Sequence, residues 1–229
     1  MVHLREVVGA PYAAFQDRRH AGHELADFLI ERDASVGAIF AVPSGGVAVA
    51  RAISERLGVP FDMILVRKLP LPMEPEAGFG AVTINGEVAL NELLVAASRL
   101  SHEDIRSVAA RVVDELRQRE ARFLAGRPRL DPAGKDLLIV DDGLASGFTM
   151  RAAIRELERR EPHSVNVAVP DAPVRTIEAV QPLVDDLYCL VAQRGGSFAV
   201  ASFYREWHDL TDGEVVELLR AGARDPYGG

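Results

Sequence analysis

Cysteine, aromatic residues and long apolar runs are all scarce in this chain. One of its 229 residues is cysteine and 6% are aromatic, so no disulfide can form within the chain. Cys189 lies in the apolar run LYCLVA and is predicted to be a buried core residue of a protein in a reducing, cytoplasmic location. No run approaches the length that spans a bilayer, and the N-terminal residues lack a signal-peptide pattern, so we expect neither membrane insertion nor export.

An excess of positive charge is lacking too. The formal net charge is -8 at pH 7 and the isoelectric point is near 5.3. This balance argues against nucleic acid and against an anionic membrane surface as partners. The sequence also contains no Walker A pattern and no GxGxxG pattern, which excludes the usual nucleotide-binding loops.

Apolar residues make up 48% of the chain, and segments typical of strands alternate with segments typical of helices. This alternation predicts an α/β protein whose central, mostly parallel sheet is flanked by helices, and we expect one domain over residues 1–229. Strands are predicted at 36–42 and 62–66 and near Leu137, Val165 and Leu187. Helices are predicted at 15–32, after the first strand as far as Leu57, and at 101–125 with Ser101 as the N-cap.

Segment 69–92 differs from the rest of the chain. Its first residues are rich in proline, and AVTINGEVAL follows them. The pair Asn85-Gly86 predicts a β-hairpin with a type I′ turn, which we expect to be flanked by a mobile loop. The segment contains glutamates but no lysine or arginine.

The most informative segment is 137–149, LLIVDDGLASGFT. Its four leading apolar residues predict a central parallel strand, and ligands of such sheets bind just beyond the carboxyl ends of the strands. Asp141 and Asp142 stand at that point. The small residues after them lead into a predicted helix, so their backbone N–H groups can converge on a phosphate. A phosphate and a polyol would therefore bind side by side.

All thirteen positions of this segment fit the signature with which type I phosphoribosyltransferases bind 5-phosphoribosyl 1-diphosphate (PRPP). The sequence thus resembles that family, nearest to a bacterial and archaeal subgroup. The resemblance implies that Asp141 and Asp142 hold the ribose hydroxyls and act as catalytic residues at the reacting sugar. It assigns the 5-phosphate to the turn formed by Ala145, Ser146, Gly147, Phe148 and Thr149.

A second match to the family follows the first core strand. The resemblance implies that the backbone of Ser44, Gly45 and Gly46 binds diphosphate, often through an atypical peptide bond, and glycines permit the close approach that this needs. Many members of the nearest subgroup have Pro-Arg-Gly-Gly where this chain has Pro-Ser-Gly-Gly. Ser44 therefore lacks a bidentate phosphate partner and supplies only a hydroxyl.

A third match is the pair Arg67-Lys68 after the next predicted strand. The family places a basic residue there to meet the diphosphate, and we expect both side chains to point into the cleft at the same sheet edge as Asp141. Lys68 is a predicted catalytic residue. The alternative is that the two are ordinary strand-end charges, but we favour the functional interpretation because the pair lies only two loops from the acid pair.

The resemblance also implies a lid, a hood and a set of partners. The lid is segment 69–92, in which the absence of lysine excludes the loop-lysine catalysis of orotate-type members. The hood is the region of about 181–229, where Tyr204 and Trp207 are candidates for stacking on an acceptor. Mg2+ is expected to bind through the diphosphate and water, with no direct protein ligand, and the assembly is expected to be a homodimer.

These matches predict a Mg2+-dependent transfer of the 5-phosphoribosyl group from PRPP to a nitrogenous or aromatic small molecule. Two alternatives stay open: a non-catalytic PRPP-binding regulator, and an enzyme that uses a different phosphopentosyl donor. A remote third is a serine hydrolase built from Ser44, Asp141 and His163, which would leave the Ser-Gly-x-Thr turn without a role.

Overall fold

The computed structural model of this chain describes residues 1–71, 77–123 and 128–221. The strands are β1 (Val2–Val8), β2 (Ala38–Ala41), β3 (Phe61–Met63), β4 (Val66–Pro70), β5 (Gly78–Thr83), β6 (Val88–Leu90), β7 (Asp136–Val140), β8 (Ser164–Pro173) and β9 (Leu187–Gln193). The α-helices are α1 (Arg18–Glu31), α2 (Gly45–Leu57), α3 (Glu92–Ala97), α4 (His102–Phe123), α5 (Phe148–Glu158), α6 (Val174–Val180) and α7 (Asp212–Ala221).

Within the described ranges, six strands form a parallel sheet in the order β1-β9-β8-β7-β2-β3. The register aligns Ala41 of β2 with Val140 of β7, and Val140 in turn with Ala168 of β8. The residues after β2 and β7 therefore emerge side by side at the carboxyl edge. The prediction of an α/β fold with a central parallel sheet is confirmed.

Each face of the sheet has its own hydrophobic cluster. Along β7, Leu138 and Val140 pack toward α1 and α2, whereas Leu137 and Ile139 pack toward α5 and α6. This alternation follows from the two-residue period of a strand, and it explains why a strand buried on both sides is apolar throughout.

The predicted strand 62–66 is two strands in two different sheets. The backbone N–H of Ile64 donates to the carbonyl of Ala41 in the parallel sheet, while the carbonyl of Leu65 accepts from Ile84 beside the second sheet. The apolar run FDMILV contains no glycine or proline that would mark the division.

The second sheet is antiparallel, in the order β4-β5-β6, and lies between α4 and α5. The predicted hairpin is confirmed, but the type I′ turn is wrong because φ is positive only at Gly86, at 90°. The N–H of Gly86 donates to the carbonyl of Thr83 at 3.0 Å. This is the three-residue loop in which a type I turn precedes a left-handed glycine.

Several boundaries differ from the sequence predictions. β1 was not predicted, and α1 begins at Arg18 because Asp17 is its N-cap, accepting from the N–H of His20 at 2.7 Å. Ser101 caps α4 as predicted, and its hydroxyl accepts from the N–H of Asp104. Parts of three predicted segments lie outside the described residues: 72–76 of the loop, 124–125 of the long helix and 222–229 of the hood.

Helices of a length and apolarity suited to crossing a membrane are not found in the described part of the chain.

Candidate active site

The carboxyl end of β7 carries two adjacent acids at the centre of the sheet edge. Burial and the facing carboxylate of Asp142 raise the pKa of Asp141 well above its usual range. Asp142 is paired instead, because its Oδ2 accepts from Nε of Arg18 at 2.7 Å. Both acids are half-buried, but among the described residues only Asp142 is paired with a cation.

Arg18 joins this acid pair to the C-terminal segment. Its Nη1 donates to the carbonyl of His208 at 2.8 Å, and its guanidinium lies 3.8 Å from the centroid of the Trp207 ring. Tyr204 donates from its hydroxyl to the carbonyl of Asp142 at 2.6 Å. Arg18 at the start of α1 and Tyr204 in the C-terminal region thus fix the position of Asp142.

A third acid, Asp171 of β8, lies beneath the turn that follows β7. It is fully buried, and its carbonyl accepts from the N–H of Leu144 at 2.8 Å. Neither of its carboxylate oxygens accepts a hydrogen bond from any residue of 1–71, 77–123 or 128–221. Burial and the nearby charge of Asp142 raise its pKa well above the usual range, so a protonated Asp171 is favoured in the folded protein.

The turn 143–147 connects β7 to α5. Gly147 has φ of 79° immediately before the helix, and Thr176 fixes the turn by donating from Oγ1 to the carbonyl of Ala145 at 2.7 Å. Ala145 and Ser146 are exposed. The first backbone N–H groups of α5 have no acceptor within the helix and carry the positive end of its dipole, which suits an anion next to the acid pair.

The loop after β2 contacts the same acids. Its Pro43-Ser44 peptide bond is cis, in line with the atypical bond that the resemblance implies. A Cβ at Gly45 would overlap Oδ2 of Asp142, and one at Gly46 would lie 2.7 Å from the carbonyl of Val140. Glycine is therefore required at both positions for α2 to begin directly against the end of β7.

Arg67 and Lys68 do not point together into the cleft. Both belong to β4, and adjacent residues of a strand project from opposite faces. Arg67 projects toward α4, where its Nη1 lies 3.3 Å from a carboxylate oxygen of Glu115. Lys68 is on the α5 side of the small sheet. The expectation of two cations at a strand end of the central sheet fails because the chain changes sheet before Val66.

A cavity of about 390 Å³ lies on the α4 side of this small sheet. Its lining includes Arg67, Arg119, Arg122 and Asp212. Arg119 of α4 donates from Nη2 to Oδ1 of Asp212 at 2.8 Å and to Oγ of Ser44 at 3.3 Å. The guanidinium of Arg119 therefore lies next to the loop after β2.

The two aromatic candidates lie next to the acid pair rather than in an open pocket. Tyr204 is 5% exposed, and its ring lies 5.1 Å from that of Trp207. Because its hydroxyl donates a hydrogen bond to the carbonyl of Asp142, Tyr204 helps to hold the acid pair in position. Trp207 is partly buried, and Arg18 covers one of its faces.

The hydrolase triad is not assembled. His163 precedes β8, and its Nδ1 lies 2.6 Å from Oδ1 of Asp136, the first residue of β7. Ser44 and Asp141 follow the carboxyl ends of β2 and β7, whereas His163 lies at the amino end of β7. The five residues of β7 separate these two ends by about 15 Å or more. His163 therefore cannot act on Ser44.

The sequence did not indicate Arg18, Asp171 or Arg119 as site residues. Asp171 had a detectable signal, because it follows the apolar run SVNVAVP much as Asp141 follows LLIV. Arg18 and Arg119 lie on helices far along the chain from their partners, and no local pattern distinguishes them from surface arginines.

A parallel sheet with an acid pair, a glycine-lined loop and a helix N-terminus at one edge defines a class of proteins that bind phosphorylated sugars or nucleotides. The sequence model of the phosphoribosyl transferase domain matches residues 12–179. The chain therefore belongs to the type I phosphoribosyltransferase family.

Proteins similar in sequence and structure support the assignment of the chain to this family. The chain is 35% identical over 211 residues, 92% of its length, to proteins of two Mycobacterium tuberculosis strains that are provisionally named phosphoribosyl transferases. That alignment covers 47% of each relative, so the chain spans about half the length of these curated relatives. The solved structure of TT1426 from Thermus thermophilus is 34% identical, with a TM-score of 0.75, over 91% of this chain and 99% of that one.

A more distant relative is the hypoxanthine/guanine phosphoribosyltransferase of Methanohalophilus mahii. It is 23% identical over 60% of this chain and 53% of its own length.

Proposed function

We propose that this protein transfers the 5-phosphoribosyl group of PRPP to a nitrogenous or aromatic small molecule and releases diphosphate. The observation that carries the proposal is the convergence of Asp141 and Asp142, the turn 143–147 and the loop at Ser44 on one edge of the sheet. Family membership supports the same chemistry.

The sugar side of the reaction is assigned to β7 and the start of α5. Asp141 and Asp142 would accept hydrogen bonds from the ribose hydroxyls. The negative charge of Asp142, joined by that of Asp141 when it ionises, would stabilise the oxocarbenium character that develops when the bond from C1 to diphosphate breaks. The N–H groups of Ala145, Ser146, Gly147, Phe148 and Thr149 would hold the 5-phosphate.

For the sugar to bind, Asp142 must exchange or share its contact with Arg18. The 2.7 Å pair shields Asp142 from Asp141, because a cation on one acid reduces the repulsion between the two. We assign Arg18 the role of a positioning residue that keeps the acid pair assembled before the donor arrives.

The diphosphate side is assigned to the backbone of Ser44, Gly45 and Gly46 with the cation of Arg67, whereas Lys68 would reach it only from the opposite face of β4. Carboxylates are suitable outer partners for a hydrated Mg2+, and Mg2+ bound to the diphosphate would neutralise charge on the leaving group.

The acceptor side completes the proposed arrangement. Tyr204 donates to the carbonyl of Asp142 and Trp207 stacks on Arg18, and we propose that the described part of the 181–229 region, which carries both aromatic side chains, is the hood. Segment 69–92 is proposed as the lid, in one domain over residues 1–229, and the assembly as a homodimer. The named activity of the archaeal relative makes a purine base one acceptor to test.

Diphosphate release tests the proposal. The protein is incubated with PRPP, Mg2+ and a panel of nucleobases and aromatic acids, beside the double variant Asp141→Asn, Asp142→Asn. We expect at least about a hundredfold loss of turnover in the double variant, since both carboxylates that stabilise the sugar cation are neutralised.

Asp27→Asn is the matched control, because Asp27 pairs with Arg56 on the surface of α1. It should keep wild-type turnover. Near-normal release by the folded double variant would refute the assignment. PRPP binding without turnover on any acceptor would favour a non-catalytic regulator, and turnover with another phosphopentosyl donor alone would replace PRPP.

A further inference from the structure

A diphosphate carries several negative charges, and the loop 43–47 that would bind it contains no cation. Ser44 offers a hydroxyl, and the rest of the loop offers backbone N–H groups. Guanidinium groups are the side chains best matched to bidentate contact with phosphate oxygens. The cation for this loop must therefore come from another element of the fold.

Helix α4 provides one at hydrogen-bond distance. Nη2 of Arg119 lies 3.3 Å from Oγ of Ser44, and its guanidinium stacks 4.9 Å from the centroid of the Phe123 ring. The Arg119 side chain is 21% exposed, so packing fixes its position while one side still borders the cavity of about 390 Å³.

Two further cations line the same cavity. Arg67 projects into it from β4 and pairs with Glu115, and Arg122 lies one turn beyond Arg119 on α4. Three arginines from two elements therefore line one cavity, and one of them, Arg119, also contacts Ser44. Their own counter-ions in the described part of the chain are Glu115 and Asp212.

Asp212 pairs with two of these three arginines. Its Oδ1 accepts from Nη2 of Arg119 at 2.8 Å, and its Oδ2 lies 3.7 Å from Nη1 of Arg122. Asp212 is the first residue of α7, so these ion pairs link α4 to the C-terminal segment. An anion that binds between the arginines would compete with the Asp212 carboxylate.

We infer that Arg119 is a diphosphate-binding residue that supplies the cation missing at Ser44, and that Asp212 holds this guanidinium until an anion displaces it. The inference rests on the proposed function and deepens it. Arg119 acts on the leaving group, while Asp141 and Asp142 act on the sugar. Residues of α4 and α7 would thereby sense the loaded donor.

Calorimetric titration with inorganic diphosphate, PRPP and ribose 5-phosphate tests this assignment. Arg119→Gln should weaken binding of diphosphate and PRPP about tenfold or more, because a charge-assisted hydrogen bond is lost. It should leave ribose 5-phosphate unchanged. Asp212→Asn should strengthen diphosphate binding, because the competing carboxylate is removed. If the ion pair between Arg119 and Asp212 had only a structural role, both Arg119→Gln and Asp212→Asn would bind diphosphate more weakly than the wild type.

Two more variants sharpen the test. Arg117→Gln is the control on the same helix, since Arg117 pairs with Asp114 at the surface, and it should titrate as the wild type does. Adding Ser44→Arg to Arg119→Gln places a guanidinium back at the loop and should restore much of the diphosphate affinity. Circular dichroism confirms that each variant is folded.

The outcomes separate the two proposals. Equal diphosphate affinity in Arg119→Gln and Arg117→Gln, with PRPP bound by the wild type, would overturn the role of Arg119 and leave the proposed function intact. A wild type that binds diphosphate through Arg119 but never binds PRPP would support the anion site and refute the proposed donor. Equal weakening of ribose 5-phosphate by Arg119→Gln would also overturn the inference.

Discussion

At the scale of single residues, burial raises the pKa of two of the acids at the sheet edge, Asp141 and Asp171. Asp171 has no hydrogen-bond donor within the described ranges and no exposed surface, while Asp142 has Arg18. A carboxyl group that loses water without gaining a partner favours its neutral form. The site therefore combines one paired carboxylate with two acids, Asp141 and Asp171, whose pKa values are raised.

Asp171 makes stability depend on pH. Because its pKa is higher in the folded protein than in the unfolded chain, the folded state binds more protons between the two values. The free energy of unfolding then falls as the pH rises above about 4, where the unfolded carboxyl ionises. Asp171→Asn keeps the shape and removes the ionisation, so it should raise stability by about 1–3 kcal/mol at pH 8 and have little effect near pH 4.

Thermal melting of both proteins at acid and alkaline pH measures this effect. A gain in Tm that grows with pH is expected. A variant less stable than the wild type at pH 8, or a difference that does not change with pH, would contradict the unpaired state of Asp171.

Only some residues of the candidate site could be predicted from the sequence. Asp141 and Asp142 could be predicted because strand, acid pair and anion-binding turn are contiguous in 137–149. Arg18 and Arg119 reach the site from helices whose docking depends on tertiary packing, which no local pattern encodes. The grouping of the candidate site residues was predictable only where the chain itself placed them together.

At the scale of elements, the small antiparallel sheet decides which cations reach the cleft. The hairpin β5-β6 was predictable from Asn85-Gly86, but its turn type depends on the strand register that packing between α4 and α5 selects. The division of FDMILV into β3 and β4 was not predictable, because an apolar run without a breaker fits one strand equally well. That division is why Arg67 and Lys68 face opposite ways.

The turn of this hairpin gives a prediction at the same scale. Gly86→Ala forces a side chain into φ near 90° and should reduce stability by about 1–2 kcal/mol. Urea unfolding followed by circular dichroism measures the loss. Gly213→Ala on α7 is the control, since its φ is not positive and the nearest atom to a new Cβ lies 3.9 Å away. Equal stability of Gly86→Ala and the wild type would contradict the left-handed turn.

At the scale of the whole molecule, the parallel sheet explains how distant segments meet. The register of β2, β7 and β8 places Ser44, Asp141 and Asp171 at one carboxyl edge, although they are far apart in sequence. This class of architecture was predictable from the alternation of elements. The connection of α1, α4 and α7 to that edge was not, because it arises from ion pairs between residues far apart in sequence, Arg18 with Asp142 and Arg119 with Asp212.

The most direct measurement is calorimetric titration of the wild-type protein with PRPP in the presence of Mg2+, beside the Asp141→Asn, Asp142→Asn double variant. The account predicts saturable binding by the wild type and at least about tenfold weaker binding by the folded double variant, because the ribose hydroxyls lose both charged acceptors. Equal affinity of the two proteins for PRPP, or no binding by the wild type, would contradict it.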